Sequence, residues 1–325
     1  MTHYFKKGAF VVLLAGFCWL SQAFETQGTI APYAAEMLLP KLSAYAIFKG
    51  PPGELVPAAD FRLYELSAQL FSDYALKQRL IRLPKDSVLL STDDGLPHFP
   101  EGTMLVKTFY YTNPEVGERN QVVETRLLVL SQGKWIAGTY LWNVGQTDAD
   151  LVQSARNVAV RFRNENGAVE TLAYHLPGPK ECVTCHGFKS EIQPIGPELR
   201  NLNSVVVRNG KSVNQLAYFQ QTGVLQMRSG AKTGELANYN PEIALEKRAR
   251  AYLSINCAHC HRTAGAAART NLLLHAIIPF NETGISEKKA RILRKMEQGK
   301  MPKLGTTVVH DTGVALIRAY LQTLD

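Results

Sequence analysis

The sequence has no cysteine to spare. Its 325 residues hold five, and four of these fall into two close pairs, Cys182/Cys185 and Cys257/Cys260, with Cys18 alone near the N-terminus. A framework of structural disulfides is excluded, because no further pair is left to build one. Long apolar runs are missing too. The stretch Gly8–Leu20 is about 13 residues long, short of the roughly 20 that a membrane-spanning helix needs, and no later stretch is more apolar. Charge is modest: charged residues make up 20% and the net charge is +8, with no basic block. So small and scattered an excess does not argue for nucleic-acid binding. At 46% hydrophobic residues the chain has enough apolar material for sizeable cores, and disorder is not the expectation.

What is there begins with a leader. Lys6 and Lys7 precede the apolar stretch, and Ser21-Gln22-Ala23 follows it. A short positive region, an apolar segment and a small-x-small site make up an export signal. Cleavage after Ala23 is expected, in preference to a retained anchor. A lipoprotein signal centred on Cys18 is disfavoured by bulky Phe17 before it. Residues 1–23 are therefore read as a signal peptide. The mature chain would carry +6, no transmembrane segment and only the four paired cysteines, and its expected location is the periplasm.

Three regions follow. Residues 24–175 contain strand-like runs rich in β-branched and aromatic residues: Thr103–Thr112, Val122–Leu130, Trp135–Trp142 and Asn157–Phe162. Turn clusters such as Asn113-Pro114, Ser131-Gln132-Gly133 and Asn164–Gly167 separate them. The pattern predicts a β-rich N-terminal domain, sandwich- or barrel-like, with a short helix around Ala68–Leu80. Residues 176–240 are rich in Pro and Gly and predict loops, with one helix near Ser212–Gln221. Residues 241–325 show helical periodicity: one helix from Pro241 behind an Asn240 N-cap, a second over Ser286–Gln298, a third over Thr312–Leu324. The expected fold class is multidomain α+β, the β-rich domain being followed by loop-rich and all-α cytochrome c-type haem-binding domains.

The pairs carry the chemistry. They read Cys182-Val183-Thr184-Cys185-His186 and Cys257-Ala258-His259-Cys260-His261. A C-x-x-C-H motif attaches haem c: two thiols add across the two vinyl groups, and the adjacent His ligates the iron. Composition alone would give such a motif by chance on the order of 0.002 times per chain. A zinc ribbon spaces its knuckles about 15–20 residues apart, whereas Cys185 and Cys257 are 72 apart. Zinc would also need reduced thiols, unsuited to an exported chain. A dithiol redox site does not explain a His after both pairs. The expected cofactors are two covalently bound haem c groups, with His186 and His261 as proximal ligands.

Opposite His261, Met301 is expected as the second iron ligand, from Gly299-Lys300-Met301-Pro302, 40 residues downstream. A thioether there raises the reduction potential and suits electron transfer. Met296 is the alternative. Opposite His186 the expected ligand is Met227, with His175 next and His98, another group or no ligand at all as the remaining choices; His259 is read as a surface residue between two haem cysteines. Arg200, Arg248, Arg250, Arg262 and Lys303 lie near the motifs in sequence and are candidates for the propionates.

Several blocks carry a resemblance: Leu70–Ala75 with Lys77 and Arg79, Phe99–Thr103, Lys107–Phe109, Glu124–Leu127, Trp142-Asn143, Glu181–His186, Pro194–Pro197, Asn201–Asn203, Arg248–Leu253 and Asn256–His261. Together they resemble a family of exported bacterial di-haem c-type cytochromes of largely undefined role. Residues 241–325 resemble a class I cytochrome c, and their motif block resembles cytochrome segments fused to quinoprotein sugar dehydrogenases. The resemblance implies two haems and export, and supplies no substrate or catalytic residue. The leading expectation is an electron carrier between redox protein partners, a dehydrogenase and a terminal acceptor. The alternative is a peroxidase-like or ligand-sensing protein using the first haem.

Overall fold

The computed structural model describes residues 1–2, 38–91, 93–113, 119–163, 168–230 and 233–324. The leader from Lys6 to Ala23 lies outside the described residues, as does the turn over Asn164–Gly167. Among the described residues no helix is long and apolar enough to cross a membrane.

The centre is a six-stranded antiparallel sheet. Its members are β1 (Arg62–Leu63), β2 (Leu76–Arg82), β4 (Met104–Asn113), β5 (Arg119–Ser131), β6 (Lys134–Trp142) and β7 (Ala149–Leu151), in the spatial order β1-β2-β4-β5-β6-β7. Strand β3 (Leu89–Ser91) lies apart from it. The strand runs expected from the sequence are all present, because β-branched and aromatic side chains pack well on a pleated surface. The β5–β6 hairpin closes at Gln132-Gly133, whose φ values are +53° and +71°. Two left-handed residues give the turn whose twist matches the strands. Glu101 accepts from both of their amides.

Both faces of this sheet are buried. Met104 and Val106 of β4 join Leu80, Leu127, Tyr140 and Trp142 in one core, covered by residues Leu42, Ile47 and Phe61. The alternate residues Leu105, Lys107, Phe109 and Tyr111 face the other way, as the two-residue period requires. Leu105 packs with Leu199, Leu202, Leu216 and Phe219. Phe109 and Tyr111 pack beneath the hairpin of β8 (Arg156–Arg163) and β9 (Val169–Leu176), through Val160, Phe162, Leu172 and Tyr174. Lys107 is left between these two apolar clusters.

The second half begins with α1 (Pro179–His186) and the small hairpin β10 (Gly187–Phe188)/β11 (Glu191–Ile192). Then come α2 (Leu199–Leu202), the hairpin β12 (Val205–Arg208)/β13 (Lys211–Asn214), α3 (Gln215–Gln221) and β14 (Leu225–Met227). The last part holds α4 (Leu245–Asn256), α5 (Ile285–Glu297) and α6 (Asp311–Gln322) around Ala249, Leu253, Leu274, Ile317 and Tyr320. Gly313 lets α6 approach α4 closely: a Cβ there would strike the Tyr252 hydroxyl.

The expected fold class is overturned. The chain is β-rich, a six-stranded antiparallel sheet with four two-stranded sheets, and only six α-helices occur among the described residues. Strands continue past residue 176, and β14 pairs in parallel with β3 of the N-terminal part. Nor is the last third a separate all-α cytochrome c-type domain, because its helices are fastened to the segment before β2. The Phe71 amide donates to Asn256 Oδ1 of α4 at 2.8 Å, and Tyr239 Oη to the Gln69 carbonyl at 2.9 Å. Asp73 accepts from Thr307 N, Thr307 Oγ1 and Val308 N at 2.7, 2.9 and 3.2 Å. Phe71 stacks on His310, centroids 3.9 Å apart. Helical periodicity identified each helix but carried no information on what covers its faces.

Smaller corrections are local. The segment Ala68–Leu80 is irregular up to Ala75 and then forms β2, because its apolar side chains are shared between two partners. The helix expected from Pro241 begins at Leu245. Asn240 caps only a turn, its Oδ1 taking the Glu242 amide at 3.0 Å. The helix near Ser212–Gln221 starts at Gln215, with Asn214 as N-cap and the preceding residues in β13.

Candidate cofactor sites

The first motif occupies α1. Gly178 is the N-cap, Pro179 holds the first helical position, and the Glu181 carboxylate accepts from the Gly178 amide at 3.1 Å. These are ordinary helix-start signals. Only glycine suits the N-cap here, since a Cβ would lie 2.6 Å from the Ala155 amide nitrogen. His186 ends the helix, and its Nδ1 donates to the Gln193 carbonyl, 2.7 Å away, across the β10–β11 hairpin. The tautomer is thereby fixed with Nε2 unprotonated, the form in which a second-shell bond presents an imidazole to a metal.

Cys182, Cys185 and His186 line an open cavity. Its floor is the central sheet. In register across β2, β4 and β5 stand Arg79, Lys107 and Arg126, each directly beside the next. Like charges opposite one another destabilise a sheet. Glu124 answers Arg126 directly, at 2.6 Å, while Glu65 acts on Arg79 and Glu181 stands in the same cavity wall. Burial opposes the charge of Arg126, but Glu124 holds its pKa above the ordinary value. Lys107 lies far below its ordinary pKa, through burial first and then Arg79 and Arg126. Burial lowers Arg79 as well, and its buried Nη2 has no hydrogen-bond partner. A buried cationic row short of anions calls for a ligand carrying negative charge. A haem, with two propionates, is such a group, so these residues fit it.

The second motif follows α4. Its residues turn tightly, with Cys260 N and His261 N both donating to the Cys257 carbonyl, at 3.1 and 2.9 Å. The His261 Nδ1 lies 3.0 Å from Thr270 Oγ1, and that hydroxyl donates to the Ala267 carbonyl at 2.7 Å. The Thr270 oxygen therefore accepts the Nδ1 proton, and Nε2 is again the free nitrogen. Cys257 and His261 line a second open cavity with Met296, Met301, Lys288, Arg291 and Lys295. Met296 is buried at 7% exposure, whereas Met301 is 38% exposed. The structure thus brings both methionines to the second cavity, and α5 supplies cations at its edge.

The four thiols share one electrostatic character. Burial pushes all of them up: Cys185 to about 11, Cys257 to about 12, and Cys182 and Cys260 in the same direction. A redox-active C-x-x-C has the opposite character, a depressed thiol. Burial also lowers His261, and lowers His186 to about 4, so both rings are neutral at pH 7. Among the described residues no three His, Cys, Asp or Glu side chains converge as a ligand set for a single ion.

The two motifs abut. Arg262, directly after His261, donates from Nη2 to the carbonyl of Gly187, directly after His186, at 3.0 Å. Its guanidinium covers Phe188 at 4.5 Å. His259 enters the first cavity rather than facing solvent. His175 lines that cavity too, but its Nδ1 meets Asn157 Oδ1 at 2.9 Å and its Nε2 the Glu181 carboxylate at 3.0 Å. Met227 is elsewhere, paired through β14 to β3 and packed with Leu225 and Leu89. His98 is exposed and bridges to Leu90.

The cations expected near the motifs are otherwise engaged. Arg200 pairs with Asp94 at 2.6 Å and Glu198 at 3.2 Å; Arg250 donates to the Ile278 carbonyl, and Arg248 to that of Ile243. Lys303 is exposed. Sequence reasoning missed Arg79, Lys107 and Arg126 as site residues. Their one local signal is a charge at an inward strand position, as in Leu105-x-Lys107-x-Phe109. Compared with models of protein families, with curated proteins and with solved structures, the chain matches none.

Proposed function

We propose that this chain is an exported c-type cytochrome with two covalently attached haems, passing electrons between redox protein partners in the periplasm. One observation carries the reading. In each C-x-x-C-H motif a neutral imidazole is tied back through Nδ1 and lines a cavity, together with Cys182 and Cys185 in the first motif and Cys257 in the second.

The chemistry supplied by the bound group is reversible one-electron change at iron. The chain does the rest. Cys182 and Cys185 would hold the first haem and Cys257 and Cys260 the second, through thioether bonds; His186 and His261 would offer Nε2 to the iron. Arg79 would offer positive charge and Lys107 a hydrogen-bond donor to the first haem, and Met301 would offer its thioether to the second. The Arg262–Gly187 contact keeps the two attachment segments adjacent, which favours transfer within the chain. Protonated thiols with raised pKa values support covalent attachment over dithiol exchange.

The decisive experiment is intact mass of the chain after export through a haem-attaching periplasm. Two haem increments are expected. Replacing both cysteines of either motif by serine removes one increment, and replacing all four removes both. A mature chain with no added mass, while a control cytochrome in the same cells is loaded, sinks the proposal.

A further inference from the structure

The first cavity holds one imidazole to which the two-haem reading gives no task. His259 is borne on the turn between Cys257 and Cys260, yet it lines the cavity of Cys182, Cys185 and His186. Its Nδ1 is sealed from solvent and has no hydrogen-bond partner. The Ile255 carbonyl, four residues earlier, approaches the ring without the alignment of a bond. Nε2 is left as the nitrogen open to the cavity.

The other donors in that wall are spoken for. Both ring nitrogens of His175 are occupied by Asn157 and Glu181. The His186 ring is held by Gln193. No methionine lines this cavity; Met301 and Met296 belong to the second. With Nδ1 beside the Ile255 carbonyl, Nε2 is the nitrogen left for a ligand in the cavity that the ring lines. Neutral imidazole is a strong iron ligand.

We propose that His259 is the axial ligand opposite His186 on the iron of the first haem. This rests on the two-haem reading of the chain. It makes the first haem bis-histidine and the second histidine–methionine. The residue that ligates one iron would be flanked on both sides by the thioether cysteines of the other haem. Bis-histidine ligation also places the first haem at the lower potential, since methionine raises the second. The electron then has a preferred resting place on the second haem.

The test begins with intact mass on the wild type, H259A, H259M and H175A. Absence of both haem increments from the wild type would sink the two-haem reading itself, an outcome distinct from failure of the ligand assignment. With two haems present, the ferric wild type is expected to be wholly low-spin and the ferrous form not to bind CO. H259A is expected to show one high-spin haem and to bind one CO per chain; added imidazole restores low spin. H259M is expected to return to low spin with the potential of one haem raised, and H175A to resemble the wild type. The assignment is overturned if both haems of H259A stay low-spin without added imidazole. It is equally overturned if the wild type already holds a high-spin, CO-binding haem. Should H259A fold poorly, H259M decides: unchanged potentials at both haems also overturn it.

Discussion

Replacing Asp73 by alanine tests how the molecule holds its second cofactor site. Asp73 is 2% exposed, and its carboxylate takes three hydrogen bonds from Thr307 and Val308, at 2.7, 2.9 and 3.2 Å. These residues belong to the loop that carries Met301 into α6. Hydrogen bonds to a charged acceptor contribute about 1.5–3 kcal/mol each. Thr307 and Val308 are exposed, so water recovers part of the loss, and a net cost of about 2–4 kcal/mol is expected. Asparagine keeps a carbonyl oxygen for the two amides, so D73N should lose less than half as much. Denaturant unfolding of the haem-loaded protein measures both. On the proposed ligation by Met301, a freed loop would also weaken the thioether–iron bond, so D73A should lower the potential of one haem and weaken its methionine–iron charge-transfer band. The reasoning fails if D73A unfolds within roughly 0.5 kcal/mol of wild type, or if it is destabilised while both haem spectra and potentials stay unchanged.

Three further outcomes are expected. Burial, aided by Lys77, holds His310 down at about 4, against ~6.5 in an unfolded chain. Between those values the unfolded chain binds more protons, so stability falls as pH drops from about 6.5 to 4, with His310 contributing at most about 3 kcal/mol of the loss. Unfolding titrations of His310→Gln across that window should show a shallower slope. R79L removes a buried positive charge from the cavity proposed for the first haem, which disfavours the reduced form; spectropotentiometry should show that haem alone shifted to lower potential. G313A forces a methyl into the Tyr252 hydroxyl. Overpacking costs about 1–3 kcal/mol, which a gain of at most about 1 kcal/mol in helix propensity only partly offsets. A denaturation midpoint at or above wild type would show that the α4–α6 crossing has slack.

The candidate attachment residues were legible because the chemistry itself dictates spacing: two thiols and an imidazole must sit within five residues. The strands of the central sheet were legible for a related reason, their side-chain alternation being a local property. Strands β4 and β6 fall within one residue of the runs read from the sequence. The cationic row was not legible. Arg79, Lys107 and Arg126 come from three strands, and only the cross-strand register makes them neighbours. His259 was read as a surface residue because its neighbours in sequence point to the second cavity. The turn after α4 instead delivers its ring to the first. The independence of the helical third was misjudged for the same reason. The partners of Phe71 and Asp73 lie 185 and 234 residues away.

That segment around Phe71 and Asp73 has an evolutionary corollary. Cytochrome units that close around their own haem can be cut out and spliced beside new enzymes as interchangeable cassettes. Here a crossover at residue 241 would strip α4 of the Phe71 amide, the Met301 loop of its carboxylate and His310 of its stacking partner in one stroke.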